Sequence, residues 1–402
     1  MQKFEKHSPV VVTEVTTKHE LRQFMQYPNR LYADNPNYIP SFYGDDLSDW
    51  TPGKNPAFDY CEARCWLARR DGEIVGRIGA ILSHKANDKF GTHRMRFSQV
   101  DFVDDSEVSA ALFGTVERWA REKGCDQVHG PLGFTDMDRE GMLVEGFDRR
   151  SLFFTNYNAP YYLEHLTRLG YRKDVDWIEY RITVPEPGGA EAERLHKLSE
   201  FILKRKHLHV ATVHHKSEYG PFVRQVFELV NAAYAPLYGV VELSDEQIER
   251  YANKFIPLVD PDFVCFVVDE QDQLVAFGVT ALDPSVALKH SDGRLFPFGW
   301  AGVLNDLHHS DTLIMLLTAV RPDLQAEGIN AVMMDHVCQS CNRHGVRFAE
   351  TGPMLELNDH ILAQWKRLEK EQHKRRRCWI KELQPAQTAG EPAPVGVGAA
   401  EE

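Results

Sequence analysis

Apolar positions follow two alternating rhythms along this chain, and the same succession of rhythms runs through it twice. In the first half the β-branched run Val10 to Val15 predicts a strand, and apolar residues at helical spacing over Leu21 to Tyr32 predict a helix. Cys65 to Arg70, the dipeptide Asp71-Gly72 and Ile74 to Leu82 read as a hairpin. The apolar stretch Phe97 to Val103 is followed by a helix with Ser106 as its N-cap, Val108, Leu112, Val116 and Trp119 on one face, and a stop at Gly124. Gln127 to His129 is the next strand. The second half repeats this order: a strand over Val210 to Val213, helices over Pro221 to Tyr234 and Asp245 to Phe255, and a hairpin from Phe263 to Val268 and Leu274 to Leu282. A long buried-type strand at Thr312 to Val320, a helix from Ile329 to His344 and a strand at Val346 to Ala349 complete it.

A register supports duplication. Asn156, Leu166, Trp177 and Ile178 lie 202 positions before Asn358, Leu368, Trp379 and Ile380. Upstream the offset breaks, because Pro131 stands 25 positions before Asn156 whereas Pro353 stands 5 before Asn358. The first half therefore carries an inserted loop at about residues 134–155, and loops of that length are commonly functional. Pro and Gly interrupt the chain at PEPGGAEAE, from Pro185. The prediction is an α/β (α+β) chain of two tandem domains, 1–184 and 207–384, joined by a linker over 185–206. Each is a mixed, mostly antiparallel sheet flanked by helices. The tail 385–402, built of Pro, Ala, Gly and Glu, is expected to be disordered.

Charge and cysteine usage narrow the function classes. A net charge of −13 argues against nucleic acid as a partner, including a tRNA donor. Apolar stretches fall short of the roughly 20 residues that cross a bilayer, and the N-terminus lacks the apolar core of a secretory signal. Seven cysteines without a small-scaffold pattern fit a reducing compartment, so the expected location is cytoplasmic. Cys338-x-x-Cys341 lies within a predicted helix and has no second pair, so these thiols read as core and no metal is expected.

The chemistry concentrates in AVRPDLQAEGINAVMMDHV, Ala319 to Val337. A buried strand ends there, the chain turns, and a helix begins with its first backbone N–H groups unpaired, which makes an anion site without basic side chains. Val320-x-Pro322-x-x-Gln325-x-x-Gly328 resembles the acyl-CoA signature of the GNAT superfamily of N-acyltransferases. The order of elements around it resembles that superfamily too. In this resemblance Val320, Gln325, Ala326, Gly328, Ile329, Asn330 and Ala331 cradle the CoA pyrophosphate. Asn330 replaces the last small residue of the signature, and Glu327 adds an anion. The corresponding first-half loop, FVDDSEV, has two acids and lacks the glutamine and glycines, so that half resembles a degenerate copy. The doubled layout with GPLGFTDMDREGMLVEGF is similar to a bacterial group that includes bacterial ceramide synthases, which implies a long-chain acyl group and a sphingoid-type amine.

What the resemblance implies is acyl transfer from acyl-CoA to a small-molecule or lipid amine, with at most peripheral membrane contact. The alternative is a non-catalytic CoA-binding or scaffold protein. An amine must lose a proton to attack a thioester, so a carboxylate or His is wanted where the two central strands part. The candidates are Glu350, His308, His309 and, in the inserted loop, Asp136, Asp138 and Glu140. Asp138-Arg139-Glu140 also reads as an internally paired surface loop. Asn358 and Asn156 either cap helices or, as the resemblance implies for such an Asn, steady the pantetheine arm. The basic run His373 to Arg377 reads as a solvated edge, or as a contact for CoA phosphates or an anionic membrane. The aromatics Phe147, Phe153, Phe154, Tyr157, Tyr161 and Tyr162 read as an interdomain core or as the lining of an apolar channel.

Overall fold

The computed structural model describes residues 8–384, so the tail from 385 lies outside the described residues. The N-half comprises β1 (Val11–Glu14), α1 (Lys18–Leu31), α2 (Tyr43–Asp49), β2 (Cys61–Arg70), β3 (Glu73–Ser83), α3 (His84–Phe90), β4 (Arg94–Phe102), α4 (Ser106–Glu122), β5 (Gln127–Gly130), β6 (Met142–Glu145), α5 (Tyr162–Arg168) and β7 (Arg172–Thr183). The C-half comprises α6 (Ala190–Lys206), β8 (His209–Val210), α7 (Gly220–Tyr234), α8 (Asp245–Phe255), β9 (Val264–Val268), β10 (Leu274–Leu282), α9 (Ser285–His290), α10 (Gly299–His309), β11 (Thr312–Val320), α11 (Asn330–His344), β12 (Phe348–Glu350), β13 (Met354–Leu355), α12 (Asp359–Ala363) and β14 (Lys370–Glu382). Seven strands of one half match seven of the other in order.

All of them join one sheet, in the order β1-β2-β3-β4-β5-β14-β7-β12-β11-β10-β9-β8, with β6 on β14 and β13 on β7. Each half therefore completes its sheet with the other half's last strand. β14 pairs with β5, β7 pairs with β12, and the two exchanged strands run antiparallel to each other at the centre. The duplicated Trp177 and Trp379 sit on these strands. Three apolar clusters fill the faces: one around Phe97, Phe102 and Phe113 under α4, one around Val275, Leu313 and Val332 under α11, and one around Phe266 and Phe277 under α7 and α8.

Several expectations change. Residues 190–206, read as linker, form the 17-residue helix α6, which lays Leu195 and Ile202 into the cluster shared with α11, so the connector is only 185–189. The linker signal was the PEPGG run, and it masked an amphipathic pattern just beyond it. The N-cap of α4 is Asp105; Ser106 is its first residue. The inserted loop is not wholly loop, since it contains β6. The His373–Arg377 run is the middle of β14 at the centre of the sheet, with Lys374 and Arg376 buried, and so is neither a solvated edge nor a free basic patch. Asn156 caps no helix; its Nδ2 donates to the Gly141 carbonyl. Asn358 does cap α12, accepting from the Ile361 N–H.

Candidate functional site

The geometry starts with two parallel strands that part company. β11 and β12 pair over only three positions, ending at Ile314 opposite Glu350, and β11 then carries an extra residue where its register against β10 shifts. The N-half repeats this device: β4 and β5 pair until Arg96 meets His129, and β4 bulges at Gln99, whose φ is +45°. A bulge bends its strand and re-aims the residues beside it. By register, His129 holds the place in the N-half that Glu350 holds in the C-half.

Beyond each split the chain turns into a helix, and there the halves differ. In the N-half the Asp105 carboxylate accepts from the N–H groups of Glu107 and Val108 at 2.8 and 3.4 Å and pairs with Arg70 at 2.6 Å. That helix end is satisfied by its own side chain. In the C-half α11 has no side-chain cap. Ala326 and Gly328, with φ of +63° and +84°, curl the loop, and among the described residues no acceptor takes the N–H of Ala326, Gly328, Ile329 or Asn330. Gln325 to Gly328 are exposed, Gln325 donating only to the Val320 carbonyl at 3.3 Å, whereas Ile329 and Ala331 are buried and anchor the turn. A Cβ on Gly328 would sit 3.0 Å from Ile202 of α6, so both the backbone conformation and the packing select glycine. Glu327 is drawn aside by Lys206 of α6 at 2.8 Å, with Arg205 nearby, which removes the objection its charge raised.

Glu350 stands at the mouth of the C-half split. It is largely buried and faces Lys374 at 3.2 Å and His373 at 3.7 Å. Burial outweighs the Lys374 cation and raises its carboxyl above the ordinary range, while burial and Lys374 together push the His373 imidazole down to about 3, so it is neutral. Lys374 also lies 3.4 Å from Glu179, which bonds the guanidinium of Arg376; Arg376 in turn donates to Thr155 at 2.9 Å. Glu179, Lys374 and Arg376 are wholly buried, a network spanning the exchanged strands.

The inserted acids form a separate group. Asp138 accepts from the N–H of Phe134 and Thr135 and from Tyr251 of α8. Asp136 is pushed up to about 6 by burial, with Asp138 adding to it, and Glu140 is raised well above the ordinary range by burial and then by Asp136. Arg139 pairs with Asp46 of α2 at 2.9 Å, so these residues are not paired among themselves as a surface loop would be. His308 and His309 are exposed at the end of α10, each bonded back to a carbonyl of its own helix, and they precede the closed end of β11 rather than its open one. The aromatics divide: Phe153 and Phe154 pack on β11, Tyr161 and Tyr162 enter the N-half core, and Phe147 and Tyr157 join Tyr32 and Tyr38. Phe154 lies 3.6 Å from where a Cβ on Gly352 would be, beside the split.

Two features were not read from the sequence. A cavity in the N-half opens where β4 and β5 part, lined by Gln99, Pro131, Asn156, Arg77, Asp101 and Arg139. His129, Asp174 and Cys378 converge within 4.8 Å, from three strands far apart in sequence. The Tyr238 hydroxyl lies among them, 2.9 Å from His129 and 3.5 Å from Cys378, and donates to Asp174. Cys338 and Cys341 are buried in the cluster under α11.

No family model matches the chain. It is 27% identical over 379 residues to Protein YghO of Escherichia coli, covering 93% of this chain and 95% of that one. It is 28% identical over 300 residues to a bacterial ceramide synthase of Caulobacter vibrioides, covering 73% and 75%. Among solved structures it is similar to a tandem GNAT protein from the clavulanic acid biosynthesis pathway, with a TM-score of 0.53 at 14% identity, covering 94% of this chain and all of that one. A GCN5-related N-acetyltransferase from Sphaerobacter thermophilus gives 0.51 at 13%, covering 94% and 96%. The chain has the tandem GNAT fold.

Proposed function

We propose that this protein is an acyl-CoA-dependent N-acyltransferase that takes its thioester on the C-half. One observation carries the reading: of two equivalent helix N-termini, the C-half's alone presents exposed, unpaired amides on a glycine-shaped loop, while the N-half's is filled by Asp105. In this reading Gln325, Ala326, Gly328, Ile329, Asn330 and Ala331 meet the diphosphate, Val320 brings the strand edge alongside, and Asn358 lies where the pantetheine arm passes. The amine nitrogen bonds to the thioester carbonyl carbon, the C–S bond breaks, sulfur leaves as the thiol, and the ammonium proton passes to Glu350 directly or through water. The carboxyl of Glu350, raised by burial, suits that proton transfer. Asp138, bonded to Tyr251 of α8, and Glu140, both half-buried, supply a second acidic group that suits binding of the cationic amine. A long-chain acyl group and a sphingoid-type amine are the finer reading, supported by the relative named bacterial ceramide synthase.

Phe154, lying against Gly352 beside the split, favours a second reading: a CoA-binding protein without turnover. Titration calorimetry with CoA and acyl-CoA tests the shared claim, and absence of binding at millimolar ligand would remove both readings. Thioester cleavage with a panel of amines, a sphingoid base included, separates them.

A further inference from the structure

Between β10 and β11 the C-half carries α9 and α10, where the N-half has only the short α3 between β3 and β4. Folding does not explain its outer side. Phe296 and Phe298 are each 80% exposed, and Val286, Trp300 and Leu304 are 50, 48 and 45% exposed. Large apolar side chains held in water at such density on one segment mark an interaction surface. The inner side of the same segment is well packed: Ala287, Leu288 and Val303 join Phe153 and Ile314 in one cluster, with Phe154 and Leu316 against it. Ile314 is the last β11 residue paired with β12, opposite Glu350. The buried side of the segment thus reaches the place where the strands part.

We propose that the α9–α10 segment is a membrane-docking element that seats Phe296, Phe298, Trp300 and Leu304 in the interfacial layer of an anionic lipid bilayer. Two arguments select a bilayer. Phe296 and Phe298 on an exposed turn, with Trp300 and Leu304 on the adjoining helix α10, match the layer between headgroups and acyl chains. Charge permits an anionic bilayer: residues 285–310 hold Lys289 and Arg294 against Asp292 and Asp306, no net charge, within a chain of −13 that an anionic surface otherwise repels. Arg294 is exposed at the rim, and the exposed Arg30 lies next to Asn29, which donates to the Asp292 carbonyl. No helix among the described residues is long and apolar enough to cross a membrane, so the contact is one of surface seating. The inference goes beyond acyl transfer and stands without it.

The test uses the full chain, without CoA or amine, in co-sedimentation with vesicles of phosphatidylcholine alone and of phosphatidylcholine with phosphatidylglycerol. The wild type is expected to partition onto the anionic vesicles, and the triple variant Phe296→Ser, Phe298→Ser, Trp300→Ser to lose about tenfold or more of that partitioning. Leu357→Ser removes an equally exposed apolar side chain elsewhere and should bind like the wild type. Circular dichroism melting, unchanged in the triple variant, establishes that its loss is one of binding. A wild type that stays in the supernatant, or a triple variant that sediments like the wild type, overturns the proposal. So does a lipid-free dimer of the wild type that the triple variant abolishes, which would assign the patch to a second copy. None of these outcomes touches the CoA titration, so the two readings fail separately.

Discussion

The two halves of this molecule are built on one plan and differ where it matters. Both part a parallel strand pair after three positions, both bulge the first strand of that pair, and both start a helix just beyond. In the N-half Asp105 occupies the helix end that an external anion would need; in the C-half that end is open. The N-half keeps an open cavity at its split and has contributed an insertion that packs acids and aromatics against its partner half. Duplication allows such a division: a copy that does not hold the proposed cofactor site is free to cap its own helix.

The comparison can be broken at several levels. The largest effect is expected where the halves are sewn together. Glu179→Ala leaves Arg376 buried without its anion, and Lys374 with Glu350 alone, and should cost about 3–5 kcal/mol. Because β7 and β14 are exchanged, urea unfolding should remain one transition shifted as a whole. Loss of one half before the other would argue against the coupling.

Next in size is Glu350→Gln, expected to lower acyl transfer about a hundredfold while CoA affinity holds. The wild-type rate should fall on the acid side, as the carboxylate is protonated, at a pH above the ordinary glutamate range because burial raises Glu350. An unchanged rate in the variant would move the base to the inserted acids. Gly328→Val, which forces a Cβ towards Ile202 in a left-handed conformation, should weaken CoA binding about tenfold or more in calorimetry.

The smallest effect is expected in the N-half. Asp105→Ala removes a helix cap worth about 1 kcal/mol and should leave CoA binding as it was. Its carboxyl is held below the usual aspartate range by Arg70 and by two backbone N–H groups, so that contribution is present at neutral pH and is lost as acid protonates it. A gain of CoA affinity in this variant would show that the N-half loop is a second cofactor site closed only by its aspartate.

Much of the plan was legible in the chain. Both hairpins, the long strand from Thr312 and the helix after Gly328 follow from local periodicity and turn chemistry, which act over a few residues, and the insertion follows from the break in the 202-position register. The buried charges were not legible. His373 to Arg377 has the composition of a solvated edge, and only the pairing of β14 between β5 and β7 buries it beside Glu179. The Tyr238 cluster failed for the same reason, since its members come from positions 129, 174, 238 and 378. His308, attractive next to a central strand, lies exposed before its closed end.

The sequence by itself determined that two copies of one α/β unit exist and that the second carries a glycine-shaped turn before its helix. Hydrophobic period, glycine placement and the absence of a capping side chain are local properties. Only the tertiary structure decided which copy's last strand completes which sheet, which carboxylate stands at the open split, and which apolar segment is left facing outward. Those outcomes depend on contacts between residues hundreds of positions apart, where the gain from burying one surface is weighed against every other surface available to it.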